Sequence, residues 1–147
     1  MPRIVVSLAD FDVAAELERL QADAGAVASF VGVVRGQVGG RPLAALTLEH
    51  YPGMTEATLT EIAETAMARW QLTDCTIIHR VGRLAPGARI VLAAAASAHR
   101  ADALAATAFL IDWLKTDAPF WKREDFVDGA TQWVDARDDD ILSRNRW

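Results

Sequence analysis

Lysine is almost missing from this chain. Of 15 basic residues among 147, all but Lys115 and Lys122 are arginine. Cysteine is scarcer still. Cys75 is alone, so an internal disulfide is excluded, and no Cys/His cluster has zinc-ligand spacing. No apolar run approaches the roughly 18 residues of a membrane span. The longest, Ile90 to Ala96, is short and alanine-rich. The segment Met1 to Val6 has one arginine and no long apolar centre, and Asp10 and Asp12 follow closely. A secretory signal is therefore not expected, and a cytoplasmic location is. Neither G-x-G-x-x-G after a strand nor G-x-x-x-x-G-K-S/T occurs, which removes support from nucleotide folds of those types.

What is present suffices for a packed core. The chain is 52% hydrophobic and 24% charged, with 9 Gly and 5 Pro. That balance suits one globular domain over residues 1–147 rather than a disordered or fibrous chain. The net charge of −5 counts against bulk nucleic acid as a partner.

Periodicity and turn residues divide the chain. Arg3 to Leu8 reads as a strand, and Asp12 to Ala22 as a short amphipathic helix capped by Asp10 or Asp12. A β-branched run from Gly25 to Val34 precedes a loop marked by Gly36, Gly39, Gly40 and Pro42. Leu43 to His50 reads as a strand and Thr55 to Trp70 as a helix. Thr73 to Val81 and Arg89 to Ala96 read as strands joined by a Pro86-Gly87 turn. Arg100 to Thr116 is a third helix, stopped near Pro119 because proline disfavours helical geometry in the residue before it. Phe120 to Phe126 and Thr131 to Ala136 pair as a hairpin across Asp128-Gly129. The last ten residues read as a tail or a short helix. This mixture of crossovers and hairpins indicates an α+β fold.

Charge is distributed unevenly. No acid lies between Thr76 and Arg100, a segment carrying Arg80, Arg83, Arg89 and Arg100 with His79 and His99. Gly25 to Leu48 also lacks acids and carries Arg35 and Arg41. Such a pattern can focus positive potential on a small anion. Solvated helices beside arginine-bearing sheet edges give the same pattern. His99-Arg100 opens a helix, a common place for an anion. His50 and His79 fall on strands, as structural histidines usually do. Cys75 reads as small and buried.

The two lysines invite a chemical reading. Arginine stays charged under nearly all conditions, whereas a buried lysine amine can lose its proton and act as base or nucleophile. On a helical wheel, Leu104, Leu110, Ile111, Trp113 and Leu114 form the apolar arc of the third helix, with Lys115 at its border near Leu104 and Ile111. On a strand, Lys122 shares a face with Phe120 and Glu124 and opposes Trp121. A helix end and the strand leaving it can carry both amines to one place.

Five segments then carry a resemblance. FVGVVRG (Phe30 to Gly36), LTLEHYPGMTE (Leu46 to Glu56), IIHRVG (Ile77 to Gly82), SAHR (Ser97 to Arg100) and LKTDAPFWKRE (Leu114 to Glu124) resemble the MoaE family, the catalytic subunits of molybdopterin synthase. WVDAR (Trp133 to Arg137) and the Arg146-Trp147 pair fit as well. The resemblance implies an α/β hammerhead with an additional antiparallel β subdomain. It implies a homodimer of large subunits within a heterotetramer. Each large subunit would bind a small ubiquitin-like sulfur carrier whose C-terminal Gly-Gly bears a thiocarboxylate. Two sulfurs would pass to cyclic pyranopterin monophosphate to make the molybdopterin dithiolene, with no metal or cofactor of the subunit's own. The motif lysines fall on Lys115 and Lys122, as catalytic amines that also bind substrate. Arg35, His99 and Arg100 match the substrate's phosphate and pterin site, and Arg137 an arginine that reaches the neighbouring subunit's site. Val33, where the family is often basic, and the compact Gln37 to Arg41 loop depart from the pattern at the pocket rim. From other classes, a non-catalytic dimeric scaffold for a ubiquitin-like tail or an anion, and a Schiff-base lysine enzyme, are the alternatives.

Overall fold

The computed structural model describes residues 1–134 and 138–147. In chain order the elements are β1 (Arg3–Ser7), α1 (Val13–Leu20), β2 (Ala26–Val33), β3 (Gln37–Val38), β4 (Arg41–His50), α2 (Met54–Arg69), β5 (Leu72–Arg80), β6 (Gly82–Leu84), β7 (Arg89–Ser97), α3 (Arg100–Asp117), β8 (Phe120–Phe126), β9 (Thr131–Val134) and α4 (Asp138–Asn145). Mixed parallel and antiparallel pairing with helices between strands makes this an α+β fold, as expected.

The first sheet has the order β1-β5-β7-β2, with β1 parallel to β5 and the other pairs antiparallel. Its centre is dry on both faces. Along β7, Val91, Ala93 and Ala95 pack with Leu59, Ile62 and Ala66 of α2 and with Phe109, Leu110 and Leu114 of α3. The alternate residues Leu92, Ala94 and Ala96 pack with Ile78, Phe11 and Leu20 on the α1 side. Period-two alternation thus splits one apolar run between two layers of helix. Alanine on β7 leaves little side-chain bulk between sheet and helices, and the large groups come from the helices instead.

The second sheet runs β3-β4-β8-β9, with β6 also pairing β4. Two of its short strands stand where the sequence suggested only connections. Gly39 and Gly40 both have positive φ, 57° and 81°, and close a two-residue turn between Val38 and Arg41. β6 forms because Leu84 can be buried against Leu46 of β4, its register partner. The β8–β9 hairpin turns at Asp128-Gly129 as predicted, with Gly129 donating to the Phe126 carbonyl at 3.0 Å. Asp135 and Ala136, included in that hairpin from sequence, lie outside the described residues, as does Arg137.

Asp12 caps α1, its carboxylate accepting from the Ala15 amide at 3.1 Å. The apolar arc of α3 needs correction. The side chains buried on it are Ala103, Ala106, Thr107, Phe109, Leu110 and Leu114, while Leu104 is 60% exposed. The wheel gave weight to leucine, but the helix presents alanines to the sheet so that the backbones can approach. The last residues form α4, which folds back along α3. Arg144 pairs with Asp117 at 3.1 Å, and the Trp147 indole donates to Asp112 at 2.7 Å while packing edge-on against Trp70.

Candidate active site

Both lysines line one cavity of about 280 Å³. Lys115 enters from the last turn of α3, where a cation is favoured by the helix dipole. Lys122 enters from β8, on the face it shares with Phe120 and Glu124, and all three line the cavity. Trp121 points the other way and is exposed, as strand alternation requires. Arg35 comes to the same wall from the end of β2.

The remaining lining is mostly apolar, and apart from Val33 and the loop holding Val38 it was not singled out from sequence for this role. Val34, Leu43, Leu46, Ile90 and Phe120 form much of the wall, and Val33 and Val38 add to the rim. The signal was available in the β2 and β4 alternation, but only the folding of the second sheet over the end of the first shows which apolar residues meet. Three cations against an apolar wall can attract an anion, and water contributes little screening once such a cavity is filled. Asp140, from the first turn of α4, also reaches the cavity.

Lys115, which the wheel places at the border of the apolar arc, is exposed. Water leaves it only when something covers the cavity. His99 and Arg100 do not join the lysines within the chain. They stand at the start of α3 and Lys115 near its end, so they are separated by about 23 Å along the helix axis. Both are exposed, and His99 occupies the N-cap position without a side-chain capping bond. Arg137 lies outside the described residues.

Beneath the cavity the sequence concealed a buried imidazole. His79, on β5, is 2% exposed, and its ring stacks on Phe120 with centroids 3.8 Å apart and planes at 17°. Its Nδ1 lies 2.8 Å from the Arg80 carbonyl oxygen. A carbonyl can only accept, so Nδ1 carries the proton. Burial, with Lys122, Lys115 and His50 as like-charged neighbours, pushes its pKa down from the usual 6.5 to about 3. His79 is therefore neutral at physiological pH. Cys75 is buried and its thiol is pushed up to about 12 by the same desolvation, so it is inert as a thiolate.

The geometry defines a class first: an α+β protein with an amine-bearing, anion-receptive pocket between its two sheets. The family model described as "MoaE protein" matches residues 6–117. The molybdopterin synthase catalytic subunit of Ralstonia nicotianae is 51% identical, over 100% of this chain and 85% of its own. Among solved structures, the molybdopterin cofactor biosynthesis protein E of Burkholderia multivorans superposes with a TM-score of 0.84 at 49% identity, covering 100% of this chain and 97% of that one. A complex of subunits 1 and 2 of the molybdopterin-converting factor from Helicobacter pylori shares the fold, with a TM-score of 0.71 at 20% identity over 93% of this chain and 90% of that one. The chain belongs to the MoaE family.

Proposed function

We propose that the cavity holding Lys115, Lys122 and Arg35 is where this subunit, a molybdopterin synthase catalytic subunit, transfers sulfur in molybdenum cofactor biosynthesis. The observation that carries the site assignment is the convergence of the chain's two lysines, from different elements, on one cavity. The substrate is cyclic pyranopterin monophosphate, and the sulfur arrives as the thiocarboxylate at the C-terminal Gly-Gly of a small ubiquitin-like carrier subunit. That route explains how a chain whose one thiol is buried and inert can take part in sulfur chemistry.

In this reading Arg35 holds the phosphate through its planar donor fork. Lys122 orients the carrier's terminal thiocarboxylate. Once that sulfur has bonded to the pterin side chain, Lys122 stabilises the oxyanion formed as water adds to the carrier's carbonyl, breaks the C–S bond and leaves the carrier as a carboxylate. Lys115 moves protons at the pterin side chain. Seating the carrier's tail covers the cavity, removes water from Lys115 and strengthens all three interactions.

The remaining expectations fit one assembly. Residues 1–147 act as one domain, an α/β hammerhead with an added antiparallel β subdomain formed by the second sheet. Large subunits pair, and with two carriers they make a heterotetramer in the cytoplasm. His99 and Arg100, too far from Lys115 in their own chain, serve the cavity of the second large subunit, where Arg137 also reaches. The test is reconstitution with thiocarboxylated carrier and the cyclic pterin, scoring dithiolene product. Absence of product with a carrier that works with another synthase subunit sinks the reading.

A further inference from the structure

The cavity is shaped by a short corner of chain. α3 ends at Asp117, Ala118 and Pro119 make the bend, and β8 starts at Phe120. Lys115 stands just before this corner and Lys122 just after it, so the path of the corner sets where the two amines stand relative to each other. The Phe120 amide donates to the Ala118 carbonyl at 2.9 Å, which tightens the bend. On the strand side Phe120 pairs with His50 of β4, and Ala118 packs beside it against the core.

What ties the corner to the first sheet in addition is the ring of Phe120 against the ring of His79. His79 belongs to β5, an inner strand of the first sheet held by β1 on one side and β7 on the other. Its ring cannot turn freely, because Nδ1 is tied to the Arg80 carbonyl at 2.8 Å. The stack at 3.8 Å therefore joins the corner of one sheet to the middle of the other.

A neutral ring is also the type of group the position tolerates. The charged and titratable groups around it are Lys115 from α3, Lys122 from β8, His50 from β4 and Arg80 beside it on β5. A fixed cation here would add repulsion to two amines already sharing a cavity.

We propose that His79 is a positioning residue for sulfur transfer: by stacking on Phe120 it holds the corner that places Lys115 and Lys122 at working separation. The inference rests on the sulfur-transfer reading of the cavity. The role lies in the flat ring and its anchoring, not in proton transfer by the imidazole.

The test compares His79→Ala and His79→Phe in the reconstituted synthase, with rates expressed per folded, carrier-binding subunit. His79→Phe retains a flat ring against Phe120 and keeps a kcat within about 3-fold of wild type. His79→Ala loses the stack and about 100-fold in kcat, the scale that misplacing a reacting group by an ångström costs, with KM for the pterin nearly unchanged. If His79→Ala does not fold, Phe120→Leu removes the same stack from the other side, with the same expected loss. Wild-type kcat in His79→Ala or Phe120→Leu overturns the proposal. So does an equal loss in His79→Phe and His79→Ala. If the wild-type subunit itself forms no dithiolene, the sulfur-transfer reading falls and this proposal with it. Activity of wild type and His79→Ala alike removes this proposal alone.

Discussion

Lys115 and Lys122 face one cavity from two different elements, the last turn of α3 and the inner face of β8. An exposed amine and a half-buried one stand together there against apolar walls. The division of labour this suggests, arginine to hold anions and lysine to do chemistry, can be tested residue by residue.

Lys115→Ala should abolish dithiolene formation, lowering the rate by at least about 100-fold, the lower range for loss of a general acid or base. Carrier affinity should stay within a few-fold, which a titration of carrier binding measures. Lys115→Arg keeps the charge but not the readily exchanged proton. Unchanged turnover in that variant would reduce Lys115 to an electrostatic role.

Arg35→Ala should act mainly on substrate binding. A charge-assisted bond of about 1.5–3 kcal/mol corresponds to a rise in KM for the phosphate-bearing substrate of roughly 10- to 150-fold. Steady-state kinetics with the cyclic pterin varied checks this. A fall in kcat with KM unchanged would move Arg35 away from the phosphate.

His99 and Arg100 offer a test of the dimer. Mixing Arg100→Ala subunits with Lys115→Ala subunits should restore activity, because a mixed pair contains one cavity with neither defect. Random 1:1 pairing of this kind gives roughly a quarter of wild-type activity under a two-fold symmetric arrangement. No recovery after subunit exchange is demonstrated would return both residues to other duties.

A glycine contrast tests the packing at the opposite end of the sheet. A Cβ added at Gly25 would collide with the Ala98 carbonyl oxygen, which is backbone and cannot swing away, whereas Gly36 has open space. Gly25→Ala should lose about 1–3 kcal/mol of stability by overpacking. Gly36→Ala should stay within about 0.5 kcal/mol of wild type. Urea midpoints decide between them, and equal midpoints would contradict the close approach.

Acid stability reports on His79. Its pKa in the folded protein is held near 3 by burial, against about 6.5 when unfolded. Because the folded value is the lower one, the unfolded chain binds the proton more readily. The stability this group contributes is complete above about pH 6.5 and is lost progressively as pH falls toward 3. His79→Phe should therefore show a flatter fall in urea midpoint between pH 7 and pH 5. Parallel curves for variant and wild type would show that His79 is not the buried neutral group described.

Local rules reached a good part of this molecule. Alternation on Phe120, Trp121, Lys122 and Glu124 assigned the cavity face of β8 correctly, because a strand allows only two directions. Asp12 as a cap and Asp128-Gly129 as a turn followed from backbone chemistry confined to a few residues. The α3 arc held for Leu110 and Leu114, with Ile111 and Trp113 packed beside them, and missed at Leu104 and the alanines, because alanine carries little weight on a hydrophobic wheel yet close helix-to-sheet approach depends on it. His79 was read correctly as a structural histidine on a strand, but its stack on Phe120 was not legible. A lone histidine on an apolar strand has the same local appearance whether it merely fills space or braces a catalytic corner.

The sequence by itself determined the chemical inventory: two lysines in an arginine-rich chain, one thiol, and motifs in the order and spacing of the MoaE family. These follow from residue identity and local geometry alone. Only the tertiary structure decided that Lys115, Lys122 and Arg35 share a cavity while His99 and Arg100 stand at the far end of α3. It also decided that His79 lies beneath Phe120. Those relationships depend on how two sheets meet across long stretches of chain, where packing of whole faces, not any local preference, sets which side chains become neighbours.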